Sequence, residues 1–291
     1  MKHLLIAIAV LSVASSLSAA SPEEIFAAGK QALLQNDADK AADSFEQLVK
    51  IKPDSAEYHF WLGRAYGAQA SKASMFSAAG LASKVQAEFE RAVQLDPNFT
   101  DARFALIEYY MQAPGFMGGS EEKALQQAAE VKKRDALQGH RAFGIVYTRQ
   151  KKPDLARKEY YDAVREQPNS PKAHQSLGIF LMSEKNYKQA AEEYETAVKL
   201  DPAFMPGWFQ IGHVAALAET NYAHGEEALR KYLAYTPNEK ESEPPLARAW
   251  FWLGRIYENQ GHKAEAKQMY TTSLKLTPGA KDVTEALKRV S

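Results

Sequence analysis

Residues 171–204, PKAHQSLGIFLMSEKNYKQAAEEYETAVKLDPAF, decide the fold of this chain. The stretch predicts two amphipathic helices joined by a turn at 184–186, because small and apolar residues recur on one face of each half. Gly178 and Ala190 are small, so the two helices are expected to approach closely, and Pro202 is expected to end the second helix. One helix pair cannot bury its own apolar face, so the stretch predicts further copies along the chain.

Aligning glycines and prolines with this stretch divides the chain into seven repeats of about 34 residues, followed by one amphipathic helix. In the third repeat, Asp135-Ala136 stands where the others carry a proline. The predicted repeats are 22–55, 56–99, 100–136, 137–170, 171–204, 205–246 and 247–280, with a capping helix at 281–291.

The pattern resembles the tetratricopeptide repeat family, since the repeats share one frame of small and aromatic sites over nearly all of 22–291. The resemblance implies an all-α, right-handed superhelical solenoid whose concave groove is lined by the first helix of each pair. It also implies a protein that binds other proteins or peptides. Some members bind the C-terminal carboxylate of chaperones through a Lys/Asn/Lys/Arg set, which is missing here: Lys30 is followed by Arg64 and Glu108.

Composition bounds the function. Lysine and arginine number 36, as do aspartate and glutamate, and this balance argues against a nucleic-acid-binding protein. The chain has no cysteine, which excludes disulfides, thiolate metal sites and thiol nucleophiles. A hydrophobic content of 45% with 25% charged residues predicts a folded protein.

Residues 1–20 predict a signal peptide: a short basic start, an apolar run at 4–13, and small residues before a cleavage site after Ala20. Ser21 and Glu24 then fit a capping box at the start of the first repeat. The alternative is an uncleaved membrane anchor, although no longer apolar stretch follows. The predicted location is the periplasm of a Gram-negative bacterium, with secretion also possible.

The predicted groove is the first candidate site. An aromatic ring beside an arginine one helical turn later suits an apolar side chain and a carboxylate of a bound peptide. Such a sequence, Phe60-Trp61-Leu62-Gly63-Arg64, recurs as Phe251-Trp252-Leu253-Gly254-Arg255. The alternative is that the phenylalanines pack between repeats as core. Residues predicted on the inner wall are Phe26, Phe60, Phe104, Arg141, Phe209 and Phe251, then Lys30, Arg64, Glu108, Ile145, His213 and Arg255.

Two inserts, 70–81 and 112–120, are the second candidate site. They occupy the same place in adjacent repeats, between the paired helices, and insertions confined to one edge of a repeat array often mark a binding surface. Each contains a Met-Phe pair, Met75-Phe76 and Phe116-Met117, which suits adaptable apolar binding. We expect the two loops to meet and to wall one edge of the groove. The alternative is that they only pack on each other and on the array.

No catalytic motif, metal-ligand spacing or phosphate loop stands out, so no enzyme activity, cofactor or metal is expected. His59, His140 and His174 fall at one site of their repeats and are interpreted as structural. The sequence therefore predicts a non-enzymatic scaffold that binds a protein or peptide in the cell envelope, without stable membrane insertion once the signal is cleaved. Two alternatives stay open: a structural subunit of an envelope assembly or export complex, and an enzyme with its site in the inserts.

Overall fold

A computed structural model describes residues 20–238 and 243–291, and every regular element in these ranges is helical. The chain divides into two compact parts, an N-terminal body that ends at Ser120 and a C-terminal body from Glu121 to Ser291. The N-terminal body contains α1 (Pro22–Leu34), α2 (Ala38–Ile51), α3 (Ala56–Ala70), α4 (Met75–Leu95), α5 (Thr100–Gln112) and a 3-10 turn (Gly115–Met117). The C-terminal body contains α6 (Glu121–Arg134), α7 (Ala136–Arg149), α8 (Pro153–Glu166), α9 (Pro171–Ser183), α10 (Tyr187–Leu200), α11 (Met205–Ala218), α12 (Tyr222–Leu233), α13 (Leu246–Asn259), α14 (Lys263–Leu276) and α15 (Lys281–Arg289).

Within each body, successive helices are joined by short connections and pack on their neighbours in chain order, α1 to α5 and α6 to α15. This confirms the predicted all-α array of tetratricopeptide-type helix pairs. The predicted capping box is present: Glu24 N donates to Ser21 Oγ at 3.2 Å, and Ser21 N donates to Glu24 Oε2 at 2.8 Å. Pro202 acts as expected, since α10 ends at Leu200 and Asp201 is extended.

A glycine in the first helix of a pair faces an aromatic ring of the second. Gly144 faces Tyr160, Gly254 faces Tyr270, and Gly63 faces Phe89; a methyl group at any of the three would come within 2.7 Å of ring carbons. The sequence predicted close approach from the small size of Gly178 and Ala190, but the neighbour of Gly178 is the Tyr194 ring. The glycine therefore makes room for a buried ring rather than for a second backbone.

One site near the start of several first helices ties a repeat to the turn before it. His59 Nε2 lies 3.0 Å from Pro53 O, His174 Nε2 2.9 Å from Pro168 O, and Trp208 Nε1 donates to Pro202 O at 3.0 Å. His140 follows the repeat that lacks the proline, and its Nε2 lies 3.1 Å from Glu166 Oε2 instead. The three histidines also bond a glutamate of the partner helix through Nδ1: Glu88, Glu159 and Glu193, at 2.5–2.7 Å. The histidine site thus has a structural role.

Two features of the array were not predicted. The boundary between the two bodies falls inside the predicted third repeat, between α5 and α6, although the sequence suggested a single solenoid over 21–291. The insert at 70–81 is mostly helical rather than a loop, because α4 begins at Met75 and is 21 residues long. Alanine, serine and methionine allow this extension, since none of them breaks a helix. The predicted leader lies outside the described residues except for Ala20.

Candidate interaction surfaces

The phenylalanines predicted to line the groove are mostly core. Phe60, Phe209 and Phe251 are only 8%, 4% and 6% exposed. Phe60 packs on Phe99 with ring centroids 5.0 Å apart, and Phe209 packs on Tyr232 at 5.3 Å. This corrects the expectation that these three rings face a partner: their apolar surface is used in packing between helices, which was the alternative. Phe104 is half-buried.

The residue after Phe60, Trp61, is only half-buried. The Arg64 guanidinium lies 4.6 Å from the centre of its indole, and Lys30 Nζ lies 5.5 Å from it. The Phe26 ring meets the indole edge-on at 5.9 Å and also lies 6.0 Å from Tyr58. We call Phe26, Lys30, Tyr58, Trp61 and Arg64 the Trp61 cluster. It joins the first helices of two successive repeats, α1 and α3.

Arg64 is the exposed charge of this cluster. Among residues 20–238 and 243–291 it forms no ion pair, and its contacts are the rings of Trp61 and Phe60. A guanidinium stacked on an indole keeps its donors available at the rim, where a carboxylate would form charge-assisted hydrogen bonds. The Trp61 cluster therefore combines an apolar plane with an unneutralised positive charge.

The repeated pentapeptide behaves differently in the C-terminal body. Trp252 stacks on His213 with centroids 4.1 Å apart and lies 5.4 Å from Arg248, whose guanidinium donates to Asp282 at 2.5 Å. Burial, helped by Arg248, lowers the pKa of His213 to about 4, so the imidazole is neutral at pH 7.

Arg255 is also partly engaged in this body. It faces Glu258 at 3.9 Å and is itself only partly exposed. The cationic groups around Trp252 are thus largely neutralised by carboxylates of the same chain, unlike Arg64.

The insert residues are exposed. Met75, Phe76 and Phe116 are among the most exposed apolar side chains of the described chain, and Met117 is half-buried. The 3-10 turn does contact α4, as expected of the two inserts. The Tyr109 hydroxyl of α5 lies between them: it donates to Met117 O and is 3.4 Å from Gln86 Oε1 of α4. The two Met-Phe pairs do not bury each other, since Phe76 and Phe116 stay in solvent. The alternative, that the two inserts only pack on each other and on the array, does not hold for these two rings.

Sequence reasoning placed the arginines correctly on the first helices but chose the wrong ring. Trp61 is three residues before Arg64 and Phe60 four, and both spacings place side chains on one helix face. The residue types alone already favoured Trp61 over Phe60, because indole is the better cation-binding ring and is less often fully buried. The contribution of Lys30 from the preceding repeat needed the packing of α1 beside α3.

In the part of the chain that the structure describes, no three histidine, aspartate or glutamate side chains are grouped so as to hold a metal ion. No described helix has both the length and the apolar character needed to cross a membrane.

Comparison with known families identifies the repeats. Models of the tetratricopeptide repeat match residues 171–204, 247–280 and 26–72. These segments are tetratricopeptide repeats. The general transcriptional corepressor ssn6 of Schizosaccharomyces pombe is 26% identical over 132 residues, which is 45% of this chain and 11% of the relative. The chain spans only 8–12% of the length of the curated relatives it matches.

Solved structures show the same fold. A tetratricopeptide repeat protein from Parabacteroides merdae is 14% identical, with a TM-score of 0.50 over 92% of this chain and 98% of that one. The human IFIT1 dimer with m7Gppp-AAAA is 19% identical, with a TM-score of 0.57 over 93% of this chain and 63% of that one. These likenesses concern the fold; the repeats themselves support a protein-protein interaction scaffold, the general role of this repeat.

Proposed function

We propose that this chain is an exported scaffold that binds a protein or peptide partner in the cell envelope, with the Trp61 cluster as part of the binding face. The presence of the repeats supports the scaffold role. The basic start, apolar run and small residues of 1–20 support export. No chemical step is required, because binding on a rigid helix face is sufficient for a scaffold.

The observation that carries the proposal is the unpaired Arg64 on Trp61. An exposed arginine in a folded protein often lies near a carboxylate of its own chain, as Arg248 does with Asp282. Arg64 instead presents its donors beside an aromatic plane on the first helices, and arginine and tryptophan are enriched among residues that dominate binding energy. A partner can therefore gain a charged hydrogen bond and apolar contact at one place.

The geometry suggests the chemistry of the partner segment. Arg64 Cζ lies 4.6 Å from the centre of the Trp61 ring, so neighbouring groups of one segment can reach both. We therefore propose a segment with an acidic residue beside an apolar side chain.

Nucleic acid is not the proposed ligand. The IFIT1 structure contains a capped RNA oligonucleotide, but at 19% identity the likeness concerns the fold. This chain has equal numbers of basic and acidic residues, whereas nucleic-acid binding depends on clustered positive charge. A labelled single-stranded RNA is expected not to bind at physiological salt, as fluorescence anisotropy would show.

The proposal is tested with a randomised peptide library displayed on phage, followed by calorimetric titration of the selected peptides as synthetic probes. Selected peptides are expected to be rich in acidic residues next to apolar ones. Arg64→Ala should weaken their binding at least about tenfold, since a hydrogen bond to a charged group contributes about 1.5–3 kcal/mol. Arg64 is exposed, so circular dichroism should show an unchanged helix content.

Arg91→Ala is the matched control, because Arg91 is an exposed arginine on α4 of the same body. It should bind the selected peptides like the unmodified protein. Equal binding by the Arg64 and Arg91 variants would exclude the Trp61 cluster, and a library that yields only neutral peptides would exclude the proposed partner chemistry.

A further inference from the structure

Arg255 Nε, in the C-terminal body, is a buried donor without a hydrogen-bond partner. The carboxylate oxygen that it faces, Glu258 Oε2, is 3.9 Å away, which is too far for a hydrogen bond. Within residues 20–238 and 243–291, the outer guanidinium nitrogens of Arg255 form no hydrogen bond either, although the side chain is 29% exposed and can be reached by a ligand. Buried donors are nearly always paired, so this one calls for an explanation.

The carboxylate beside Arg255 is already used by the fold. Glu258 accepts from Arg289 Nε at 2.7 Å and from Arg289 Nη2 at 3.0 Å, and it also accepts from the Tyr270 hydroxyl. These donors belong to α14 and α15, and they hold the carboxylate in place. Arg255 therefore keeps donors that the folded chain does not use.

An acceptor without a partner lies on the neighbouring first helix. Burial lowers the pKa of His213 to about 4, so its ring is neutral at pH 7. The ring Nδ1 lies 3.2 Å from Gln210 Oε1, and because a carbonyl oxygen can only accept, the single ring proton is on Nδ1. His213 Nε2 is thus an acceptor; it bonds to no described residue, and it is not sealed from solvent.

Helix packing places this acceptor beside the donors of Arg255. The His213 ring of α11 stacks on Trp252 of α13, with centroids 4.1 Å apart. One turn further along the same two helices, Asn259 Nδ2 donates to Ala216 O at 2.9 Å. Arg255 lies on α13 between these two contacts, so it is level with His213. We call the following residues the Arg255 site: Gln210, His213, Trp252 and Arg255.

The repeat frame does not require polar groups at this level. The position that His213 and Arg255 occupy in their first helices is held by Ile145 in α7 and by Ile179 in α9. Ile179 is 49% exposed, so the first helix next to α11 presents an apolar side chain there. The unpaired donor and acceptor therefore need an explanation other than folding.

The pair of groups indicates the chemistry of a ligand. A group that accepts from Arg255 and donates to His213 needs a carbonyl oxygen and an N–H side by side, as in a primary carboxamide. A carboxylate has no proton for His213 Nε2, and an ammonium group has no acceptor for Arg255. We propose that the Arg255 site binds the side-chain carboxamide of an asparagine or glutamine in a partner segment, with Trp252 and Ile179 contacting apolar groups beside it. This second site is independent of the Trp61 cluster.

Selected peptides provide the first test. A peptide library displayed on phage is selected against the full chain carrying Arg64→Ala, which disables the Trp61 cluster. The selected peptides are expected to share an asparagine or glutamine next to apolar residues, and they are then synthesised and titrated by calorimetry. Leucine in place of that residue should weaken binding at least about tenfold, the factor for losing a hydrogen bond to a charged group. The corresponding acid should also bind less well, because it faces the lone pair of His213 Nε2.

Variants of the chain provide the second test. Arg255→Leu removes the donors, and His213→Phe removes the acceptor but keeps a ring on Trp252. They should weaken binding of the selected peptides about tenfold and about fivefold, respectively. Arg149→Leu and His224→Phe are matched controls on α7 and α12 of the same body, and they should bind like the parent chain.

Thermal unfolding separates a binding role from a structural one. Because the buried Nε of Arg255 has no partner, Arg255→Leu should leave the melting temperature unchanged or raise it. An arginine that only supports the fold would instead lower it when replaced. Loss of peptide binding without loss of stability is therefore the expected combination.

Three results would overturn the proposal. The first is a selection that yields no peptide, or only peptides without asparagine or glutamine. The second is equal or tighter binding of the acid, which would identify a carboxylate as the ligand. The third is full peptide binding by both Arg255→Leu and His213→Phe. Arg64 is replaced throughout, so a failure of the Trp61 cluster to bind acidic segments would not affect these outcomes.

Discussion

Replacing Gly144 by alanine tests the glycine-to-ring packing that recurs through the array. An added Cβ would lie 2.5 Å from Cε2 and 2.6 Å from Cζ of Tyr160, where carbon atoms normally keep about 3.5–4.0 Å. The Tyr160 ring is largely buried and stacks on Phe180, with centroids 4.7 Å apart and planes 20° from parallel. Because the ring cannot move freely, α7 and α8 must separate.

The expected change in the free energy of unfolding is the sum of two opposing contributions. Overpacking a core costs about 1–3 kcal/mol. Alanine in place of glycine inside a helix stabilises the helix by about 1 kcal/mol. Gly67 in α3 provides the matched control, because a Cβ there meets nothing within 4 Å, so Gly67→Ala should show the favourable part alone. Gly67 and Gly144 belong to different bodies, so each variant is first compared with the unmodified protein, and the two changes are then subtracted to give the steric cost.

Thermal unfolding followed by circular dichroism is the first assay, and hydrogen exchange of α7 and α8 is the second. In a body of this size, 1 kcal/mol corresponds to about 2–4 °C in the midpoint. Gly144→Ala should therefore melt several degrees below Gly67→Ala, with faster amide exchange in α7 and α8. If both alanine variants melt alike and exchange in α7 is unchanged, the assignment of glycine as the space for the ring is refuted.

The remaining predictions concern the histidine site, the leader and a larger substitution. The Glu193 carboxylate raises the pKa of His174 above its ordinary 6.5, against partial burial and with help from the Pro168 carbonyl, because only the imidazolium donates to both. The stability it contributes is fully present below about pH 6.5 and is lost as pH rises through the raised pKa. The difference in urea unfolding between wild type and His174→Gln should thus be larger near pH 5.5 than near pH 9, and an equal difference at both would contradict the pairing. Mass spectrometry of the protein from its host should give a mature chain that begins at Ser21, and a mass that includes 1–20 would reject export with cleavage. Gly178→Leu should destabilise the C-terminal body by about 3 kcal/mol or more, measured by urea unfolding, because a whole side chain would displace Tyr194.

Much of the fold follows from residues whose effect is local. Pro202 ends a helix wherever it stands, and Ser21 with Glu24 begins one, because both act through the backbone within a few residues. The recurring glycine and aromatic positions then repeat the same pair along the chain, so the repeat frame and the helix boundaries could be predicted. The arginine at 64 could be placed on a first helix for the same reason.

Tertiary structure decided which side chains remain at the surface. Phe60 and Trp61 are adjacent, and only the packing of α3 on α4 and beside α1 buries the phenylalanine and leaves the indole under Lys30 and Arg64. The same pentapeptide at 251–255 lies beside a neutralised arginine, because Arg248 pairs with Asp282, which is 34 residues later in the chain. Burial and ion pairing depend on neighbours that are distant in sequence, and the repeat period does not specify their identity. The sequence therefore determined the array, and the assembled helices determined its exposed chemistry.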